Sequence, residues 1–346
     1  MADEAAKADP PPPGAASIGG LAIAPPVEPM LAKLAEAIPD ADADAFLFEP
    51  KWDGFRALVF RGDTDVFIQS RDLRPLDRYF PELHELLIAT LPAGCVVDGE
   101  IVIAGPHGLD FDRLQLRLHP AASRVAKLAA ETPSAFVAFD LLAVDGQDIR
   151  ELPQQERRVR LEQLLAEARP PLHLTPMTRD RALAVEWLER FEGAGLDGVM
   201  AKPIDAPYQP GKRKGFVKIK HVRTIDVVVM GWRPGKEEGT VGSLILGLHD
   251  DDGKLRVVGH TSGFKAAEKR ELPAKLAPYE TGNRGTGDPS RWDNARDLEW
   301  IDLRPELVVE ITFDHTSNDR IRHGTKIVRW REDKKPGECS MEQLKS

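Results

Sequence analysis

The stretch EPKWDGFR, residues 49–56, directly follows the apolar run AFLF at 45–48 and places Lys51, Asp53 and Arg56 where a strand enters a core. Burying a charged side chain is costly unless it is paired or used in chemistry. Lys51 is therefore either a strand-edge lysine paired with Asp53 or the reactive group of an enzyme. A pattern as short as KxDG arises by chance in about one chain in twenty-five of this length, so the motif alone does not decide between the two interpretations.

The composition is typical of a globular protein, and the length is sufficient for two domains. The 346 residues are 42% hydrophobic and 30% charged, a length that fits two domains of common size. No apolar run approaches the roughly 18 residues of a membrane span, and no secretory signal pattern opens the chain. The two cysteines, Cys95 and Cys339, form no CxxC pair. These features predict reduced cytosolic thiols, no zinc site and no membrane contact.

The net charge of −9 argues against a nucleic-acid partner, but the charge is distributed unevenly. Residues 1–50 hold nine acidic and two basic groups, whereas residues 202–223 hold seven Lys or Arg against one Asp. Residues 320–335 hold seven Lys or Arg against two acids. Local basic clusters, rather than net charge, attract a polyanion. One such cluster alone is more often a solvated face of the protein.

The pattern along the chain predicts an α+β fold with a boundary near residue 222. Residues 1–17 are rich in Ala, Pro and acids and are predicted to be a disordered tail. A first domain is predicted at 18–222, in which the chain from about residue 45 onward alternates short β-like runs with helical patterns. Within it, CVVDGEIVIAG (95–105) looks like a strand pair about Asp-Gly. Residues 223–346 contain about five strands with Gly and Asp-Gly turns, which fit a small Greek-key barrel such as an OB-fold.

A series of charged and aromatic motifs follows Lys51. Each has an ordinary structural interpretation: an aromatic residue fills a core, an aspartate forms a turn, and paired lysines form the wet face of an edge strand. In chain order the motifs are SRD with Arg71, VDGE with Glu100, AFD with Phe139 and Asp140, DGVMAK with Asp197, Met200 and Lys202, FVKIK with Lys218 and Lys220, and RWREDK with Arg331, Asp333 and Lys334.

Taken in order, these motifs resemble those of the covalent nucleotidyltransferase superfamily, which comprises ATP-dependent DNA ligases, RNA ligases and mRNA-capping enzymes. The resemblance covers residues 45–335. REDK at 331–334 favours a polynucleotide ligase, and the C-terminal segments are similar to those of the compact stand-alone actinobacterial LigC type. The resemblance implies a nucleotidyltransferase (ATP-grasp-like ligase adenylation) domain of antiparallel sheets with flanking helices, followed by a C-terminal OB-fold β-barrel.

The implied activity is the sealing of nicks in double-stranded DNA with ATP. Lys51 would attack the α-phosphate, releasing pyrophosphate and forming a covalent lysine-AMP. The AMP would then pass to the 5′-phosphate of a nick, and the 3′-OH would displace it. A lysine that attacks phosphorus must be neutral, although a free lysine has a pKa of about 10.4. Neighbouring cations, a metal ion or burial can lower that pKa.

The resemblance also assigns roles to the other motif residues. Phosphoryl-type transfer needs mainly positioning and charge neutralisation, and Mg²⁺ takes one or two carboxylates with phosphate oxygens and water. The implied catalytic set is Lys51, Lys218, Lys220, Arg331, Asp333 and Lys334, and the resemblance places the last three, in RWREDK, over the pyrophosphate in the first step. The nucleotide set adds Glu49 at the adenine edge, Phe139 and Met200 on its two faces, Arg56 and Arg71 near the ribose or the nick phosphate, Glu100, and Lys202, which would oppose phosphate charge. The metal set, for Mg²⁺ or alternatively Mn²⁺, is Glu100, Asp140 and Asp197.

Two positions depart from the family pattern. Asp197 stands where the family usually has the longer Glu, and Leu73 stands where the second motif usually has Gly. Two alternatives also stay open: an RNA ligase or GTP-using capping enzyme, and a non-enzymatic OB-type nucleic-acid-binding protein. The resemblance implies a monomer in the cytoplasm, in the bacterial cytosol or nucleoid. Its implied context is DNA repair, in excision repair or end joining, with a repair polymerase or primase as a partner.

Overall fold

The computed structural model describes residues 18–40, 45–106, 108–190, 196–220, 223–286, 299–313, 316–317, 320–321 and 325–344. The predicted tail at 1–17 lies outside these residues. The chain divides into two compact units, Met1–His221 and Val222–Ser346. Among the described helices, none combines the length and the apolar character needed to cross a membrane.

The first unit combines helices with mostly antiparallel strands. Its helix α1 begins with Pro81, whose fixed φ suits a first helical position, and it ends at Thr90, shortly before Pro92. The helices are α1 (Pro81–Thr90), α2 (Phe111–Leu116), α3 (Ala122–Glu131), α4 (Gln154–Leu164) and α5 (Arg181–Arg190). The strands are β1 (Lys33–Ala35), β2 (Phe46–Trp52), β3 (Phe55–Arg61), β4 (Val66–Ser70), β5 (Cys95–Val102), β6 (Ala104–Gly105), β7 (Gly108–Leu109), β8 (Ala135–Val144), β9 (Gln147–Asp148), β10 (Leu172–Leu174), β11 (Leu196–Pro203) and β12 (Val217–Ile219).

Two sheets form the centre of this unit. One has the order β1-β12-β11-β2, and the other has the order β10-β8-β5-β3-β4 with β9 beside β8. Leu58 and Phe60 of the larger sheet share a core with Met30 and Tyr208, while Val59 on the opposite face packs with α1 and α4. Helix α5 packs on the outer face of the smaller sheet. The unit is therefore layered helix, sheet, sheet, helix, with one core between the sheets, which confirms the expected adenylation-domain architecture.

The stretch that opens the sequence crosses from one sheet to the other. The run at 45–60 reads as one long strand, but it is two, β2 and β3, separated at Asp53 and Gly54. Strand β2 pairs with β11 in the smaller sheet, and β3 pairs with β4 and β5 in the larger one. Lys51 therefore lies at the point where the chain passes between the two sheets.

The predicted strand pair at 95–105 is wrong: Cys95–Val102 is one continuous strand, β5. Asp-Gly is a strong hairpin signal in sequence, but here Asp98 is held in the strand by Arg56 and Tyr208. Gly99 has a packing role, because a Cβ at this position would clash with the Phe136 ring of neighbouring β8. The glycine permits close strand approach rather than a turn.

The described part of the second unit is an antiparallel sheet with one α-helix and three short 3-10 helices, at Ala277–Tyr279, Pro336–Glu338 and Met341–Leu344. Strand β13 pairs with β14 along one edge and with both β18 and β17 along the other. This half-barrel is the expected OB-fold. Helix α6 (Ala266–Leu276) was not predicted, since Pro273 inside it masks the helical pattern. The strands are β13 (Arg223–Pro234), β14 (Val241–His249), β15 (Leu255–Thr261), β16 (Glu280–Thr286), β17 (Glu299–Leu303), β18 (Val308–Phe313), β19 (Thr316–Ser317), β20 (Arg320–Ile321) and β21 (Lys326–Trp330).

Candidate active site

The register of the smaller sheet brings three predicted site residues into one row. Met200 on β11 lies directly opposite Glu49 on β2 and opposite Lys218 on β12. Side chains directly opposite each other in a sheet point to the same face. Lys51 is two residues beyond Glu49 and therefore shares that face. This face looks into the space between the two sheets, so the fold gathers these residues on one wall of a common site.

Lys51 is paired with Asp197, and the pairing depends on an irregularity in β11. Leu196 lies opposite Trp52 and Val199 lies opposite Pro50, so two β11 residues face Lys51 alone. Such a bulge redirects side chains locally. Lys51 Nζ contacts Asp197 Oδ2, and Lys220 Nζ lies 3.1 Å from the same oxygen. The bulge brings the short aspartate side chain within contact of Lys51 at the position where the family has the longer glutamate.

Gly198 makes this bulge feasible. Its φ is +130°, which side chains of L-residues rarely adopt, and a Cβ there would clash with the carbonyl oxygen of Ile219. The glycine after Asp197 is therefore required by backbone geometry. DGVMAK combines an acid that contacts Lys51 with the glycine that lets the strand turn the acid toward it.

Lys218 completes a concentration of positive charge beside Lys51. Its pKa is lowered by burial first, and then by the nearby charges of Lys51 and Lys220, while Asp197 opposes the shift. Three lysines around one carboxylate leave the local charge positive. Such a site favours an anionic ligand with several oxygens, as a polyphosphate has.

Glu49 forms ion pairs with two buried cations, Lys202 and Arg158. It is 1% exposed, with Oε2 2.7 Å from Lys202 Nζ and Oε1 3.3 Å from Nη1 of Arg158. Burial raises the pKa of Glu49, and Lys202 and Arg158 oppose that rise. Lys202 also donates to the carbonyl oxygen of Phe139 at 2.8 Å and lies 5.0 Å from the centroid of that ring. Lys202 is itself buried, with 2% of the residue exposed. It therefore supports Glu49 and Phe139 from within the protein.

Asp140 forms a buried ion pair with an arginine, contrary to its expected place among metal ligands. Both of its oxygens accept from Arg157, at 2.9 and 3.1 Å, and both residues are almost fully buried. The pKa of Asp140 is lowered because Arg157 and Lys202 outweigh its burial. Its lone pairs are used in a structural ion pair, so we remove Asp140 from the metal set.

Arg56 and Phe139 form the facing wall on the larger sheet. Arg56 donates to both oxygens of Asp98, at 3.0 and 2.6 Å, and Tyr208 donates to Asp98 at 2.6 Å. The guanidinium lies 5.2 Å from the centroid of the Phe139 ring. The buried Asp98 therefore fixes Arg56, and the pKa of Tyr208 is raised by its burial and by Asp98.

Glu100 is the acid in this region with the least compensation. It is opposite Arg56 in the strand register and accepts from the backbone nitrogen of Gly54 at 3.1 Å. Burial raises its pKa to about 7, although Lys51 and Arg56 oppose the rise. A carboxyl group that is partly withdrawn from water attracts a cation. Across the described residues no cluster of three or more His, Cys, Asp or Glu could hold a metal by itself.

Arg71 lies in an exposed turn directly after β4. Leu73 has φ +62°, the left-handed conformation that glycine adopts most readily. The turn is closed by hydrogen bonds from Leu73 N to Ser70 O at 3.0 Å and from Ser70 N to Arg74 O at 2.8 Å. The leucine thus keeps the backbone geometry that the family pattern assigns to glycine, at a cost in strain.

We expect Leu73→Gly to be more stable than Leu73→Ala by about 1 kcal/mol, because alanine keeps the Cβ that strains a left-handed backbone. The two variants lose the same side chain beyond Cβ, so their difference isolates the backbone. Urea unfolding of both variants measures it. At ordinary positions glycine is the less stable of the two, and that order at residue 73 would contradict the strained turn.

Arg331, Asp333 and Lys334 lie together in the second unit. Arg331 donates to both oxygens of Asp333, at 2.9 and 2.8 Å, and to Asp226 at 2.9 Å. Lys334 donates to the other oxygen of Asp226 at 2.8 Å. The three motif residues therefore form one charged network, and Asp226 is its buried member.

Several residues of these networks were not predicted from the sequence. They are the partners that hold the motif residues rather than motif residues themselves. Two of them, Arg157 and Arg158, are adjacent in the sequence and both are buried on α4. Two adjacent arginines in a predicted helix are the one sequence signal that could have indicated them. The unpredicted partners are Asp98, Arg157, Arg158, Tyr208 and Asp226.

Family models, related sequences and solved structures of DNA ligases all resemble this chain. The family model for an ATP dependent DNA ligase domain matches residues 29–220, and that for an ATP dependent DNA ligase C terminal region matches residues 237–334. The chain is 47% identical over 345 residues to DNA ligase C2 of Mycolicibacterium smegmatis, covering 94% of this chain and 96% of that protein. Identity to DNA ligase C of Mycobacterium tuberculosis is also 47%, covering 94% and 95%.

Solved structures agree at the level of the fold. A mycobacterial DNA ligase D complexed with ATP and MES has 31% identity and a TM-score of 0.50, covering 90% of this chain and 97% of that one. A Lig E DNA ligase has a TM-score of 0.59 at 19% identity, covering 88% and 99%. At that identity the second likeness concerns the fold alone.

Proposed function

This chain belongs to the ATP-dependent DNA ligase family and is of the LigC type, and from that premise we propose that Lys51 carries AMP from ATP to the nick. The single observation that supports this assignment is the environment of Lys51. It lies on a strand at the junction of two sheets, with Asp197 in contact and with Lys220 and Lys218 beside it. Asp197 orients the amine, and the neighbouring lysines supply positive charge for the phosphates of ATP.

In the first step the Lys51 Nζ attacks the α-phosphorus, a P–N bond forms, and the P–O bond to pyrophosphate breaks. The proton that Nζ loses as the phosphoramidate forms passes by way of Asp197, whose Oδ2 contacts Nζ, to the solvent. Lys218 and Lys220 offset the negative charge on the transferring phosphate, which is the main requirement of this chemistry. Their places on β12 and just beyond it are fixed by pairing with β11.

The adenine would lie between Phe139 and Met200, with Glu49 at its edge. A carboxylate accepts hydrogen bonds and suits the exocyclic amine of adenine. Lys202 takes a different role from the one the resemblance gave it: because it is bound to Glu49 and Phe139, it supports the base-binding wall. Arg56, fixed by Asp98, and Arg71 in its exposed turn are proposed for the ribose and the nick 5′-phosphate.

Mg²⁺ fits this site through Glu100. The group has a raised pKa and one hydrogen bond from Gly54, so it offers oxygen to a hard cation at a point where charge compensation is weak. Asp197 is close to the same lysine and is a second candidate ligand. Mn²⁺ would take the same oxygen ligands. When bound, the ion would neutralise phosphate charge.

In the second and third steps the chain seals a nick in double-stranded DNA. The basic clusters at 202–223 and 320–335 are proposed as contacts to the phosphate backbone. We propose that residues 18–222 form the adenylation domain and 223–346 the OB-fold domain, that the protein is a cytoplasmic monomer, and that it works in DNA repair beside a repair polymerase or primase.

We expect the protein to seal a nicked DNA duplex with ATP and Mg²⁺, and to do so poorly with GTP, because a carboxylate at Glu49 repels the O6 carbonyl of guanine. Gel assays on matched DNA and RNA nicks, with ATP, GTP or NAD⁺ as the donor, measure this. Preferential sealing of RNA nicks would favour an RNA ligase, and preferential transfer of GMP would favour a capping-type enzyme.

A further inference from the structure

Two cations of RWREDK meet at a carboxylate that lies outside the motif. Asp226, on β13, is 7% exposed. Its Oδ1 accepts from Arg331 and its Oδ2 accepts from Lys334, at 2.9 and 2.8 Å. One aspartate, more than a hundred residues earlier in the chain, therefore fixes two long side chains that the resemblance places at the pyrophosphate.

Asp226 is itself held firmly. Its backbone nitrogen donates to the side-chain oxygen of Gln343 at 3.0 Å, and its carbonyl accepts from the amide of Gln343 at 3.1 Å. It also lies within the paired region of β13 and β18, directly opposite Glu310. The main chain of Asp226 is held by Gln343 and its strand is paired with β18, so the carboxylate has a fixed position for its two partners.

Asp333, which also binds Arg331, is much more exposed to solvent than Asp226. The Asp333 side chain is 65% exposed, whereas the Asp226 side chain is 10% exposed. Exposed ion pairs contribute little to stability and exchange readily, whereas a buried carboxylate is difficult to leave unpaired. When an anionic ligand approaches Arg331, Asp333 is therefore the partner to be exchanged, and Asp226 is the partner that stays.

We propose that Asp226 is a positioning residue for self-adenylation, which presents Arg331 and Lys334 in the orientation that meets the leaving pyrophosphate. The proposal rests on the proposed function, and the family resemblance supplies the role of the two cations. The physical reason is pre-organisation: Lys and Arg side chains lose much rotamer freedom when ordered, and Asp226 orders both before the ligand binds. An ammonium has three donors and a guanidinium five, so both retain donors for phosphate.

The test is Asp226→Asn, which keeps the shape and removes the charge. We expect self-adenylation at saturating ATP to slow by about tenfold or more, while sealing of a pre-adenylated nick by the same preparation changes by less than about threefold. Removal of AMP from the adenylated enzyme by pyrophosphate should slow by a similar factor, because it is the same step in reverse. Lys334→Ala, which removes one of the two cations, should show the same division between steps.

Two further variants separate positioning from general stability. Asp226→Glu keeps the carboxylate and should recover part of the lost rate. Asp250→Asn is the matched control, because Asp250 also accepts from an arginine, Arg256 at 2.7 Å, in the same unit but away from the motif. It should leave both rates within about twofold. Thermal unfolding of every variant reports folding independently.

Equal loss of both steps in Asp226→Asn, together with a lower melting temperature, would overturn the proposal and reduce Asp226 to a structural role. Faster self-adenylation would also overturn it, because Asp226 would then compete with the phosphates. If the unaltered protein forms no lysine-AMP, the proposed function itself fails. That result is distinguishable from failure of the Asp226 proposal, in which the unaltered protein forms lysine-AMP normally.

Discussion

Lys51→Ala is expected to abolish lysine-AMP formation. The amine that makes the P–N bond is absent, and Lys218 and Lys220 lie on a different strand, with Lys220 engaged by Asp197. Incubation with α-labelled ATP followed by denaturing electrophoresis measures the label on the protein. We expect label on the unaltered chain and none on the variant, with ATP-dependent nick sealing lost in parallel.

The matched control is Lys127→Ala, which removes an exposed lysine on α3 that pairs with Glu131. It should retain full labelling. The Lys51 variant should still seal a nick whose 5′ end already carries AMP, since that step does not use the lysine as a nucleophile. Label on the Lys51→Ala protein at the level of the control would contradict the assignment of the nucleophile.

Arg157→Met is expected to destabilise the first unit by about 3–5 kcal/mol, because it leaves Asp140 as an unpaired charge in the core. Arg157 and Asp140 are 0% and 1% exposed, and Arg157 also donates to the carbonyl oxygen of Ala206. Equilibrium unfolding in urea measures the loss. Phe139, adjacent to Asp140, should be displaced with it, so ATP binding should weaken as well.

Arg150→Met provides a control of the same chemistry at the surface. Arg150 donates to both oxygens of Asp148, as Arg157 does to Asp140, but the two side chains are 28% and 39% exposed. Its removal should cost no more than about 1 kcal/mol. The double variant Arg157→Met, Asp140→Leu should recover part of the loss, because no buried charge is left unpaired. Equal losses at the two arginines would contradict the structural role of the buried pair.

The sequence predicted best those features that depend on neighbours along the chain. The α+β fold class and the presence of a strand at Lys51 follow from local apolar patterns and turn residues. The convergence of Glu49, Lys51 and Lys218 follows from motif order together with the family resemblance. The departure at Asp197 was visible in the sequence, but its resolution by a bulge was not, because register depends on pairing with a distant strand.

Long-range pairing explains the features that were missed. The sequence suggests that Asp140 is a metal ligand. In the fold, Arg157 on α4 donates to both of its oxygens. The sequence suggests that Gly99 is a turn residue. In the fold it lies in a strand, where the Phe136 ring of the neighbouring strand leaves no room for a side chain. Asp226 lies in an ordinary strand pattern and acquires its role only when residues 331–334 return beside it.

The most direct test of the account is the mass and the site of the covalent adduct. The purified protein is incubated with ATP and Mg²⁺, and its intact mass is measured before and after addition of pyrophosphate, followed by peptide mapping. We predict a gain of one AMP, located on Lys51, that pyrophosphate removes. Absence of the adduct, or a stable adduct on another residue, would contradict the claim that Lys51 is the nucleophile of this ligase.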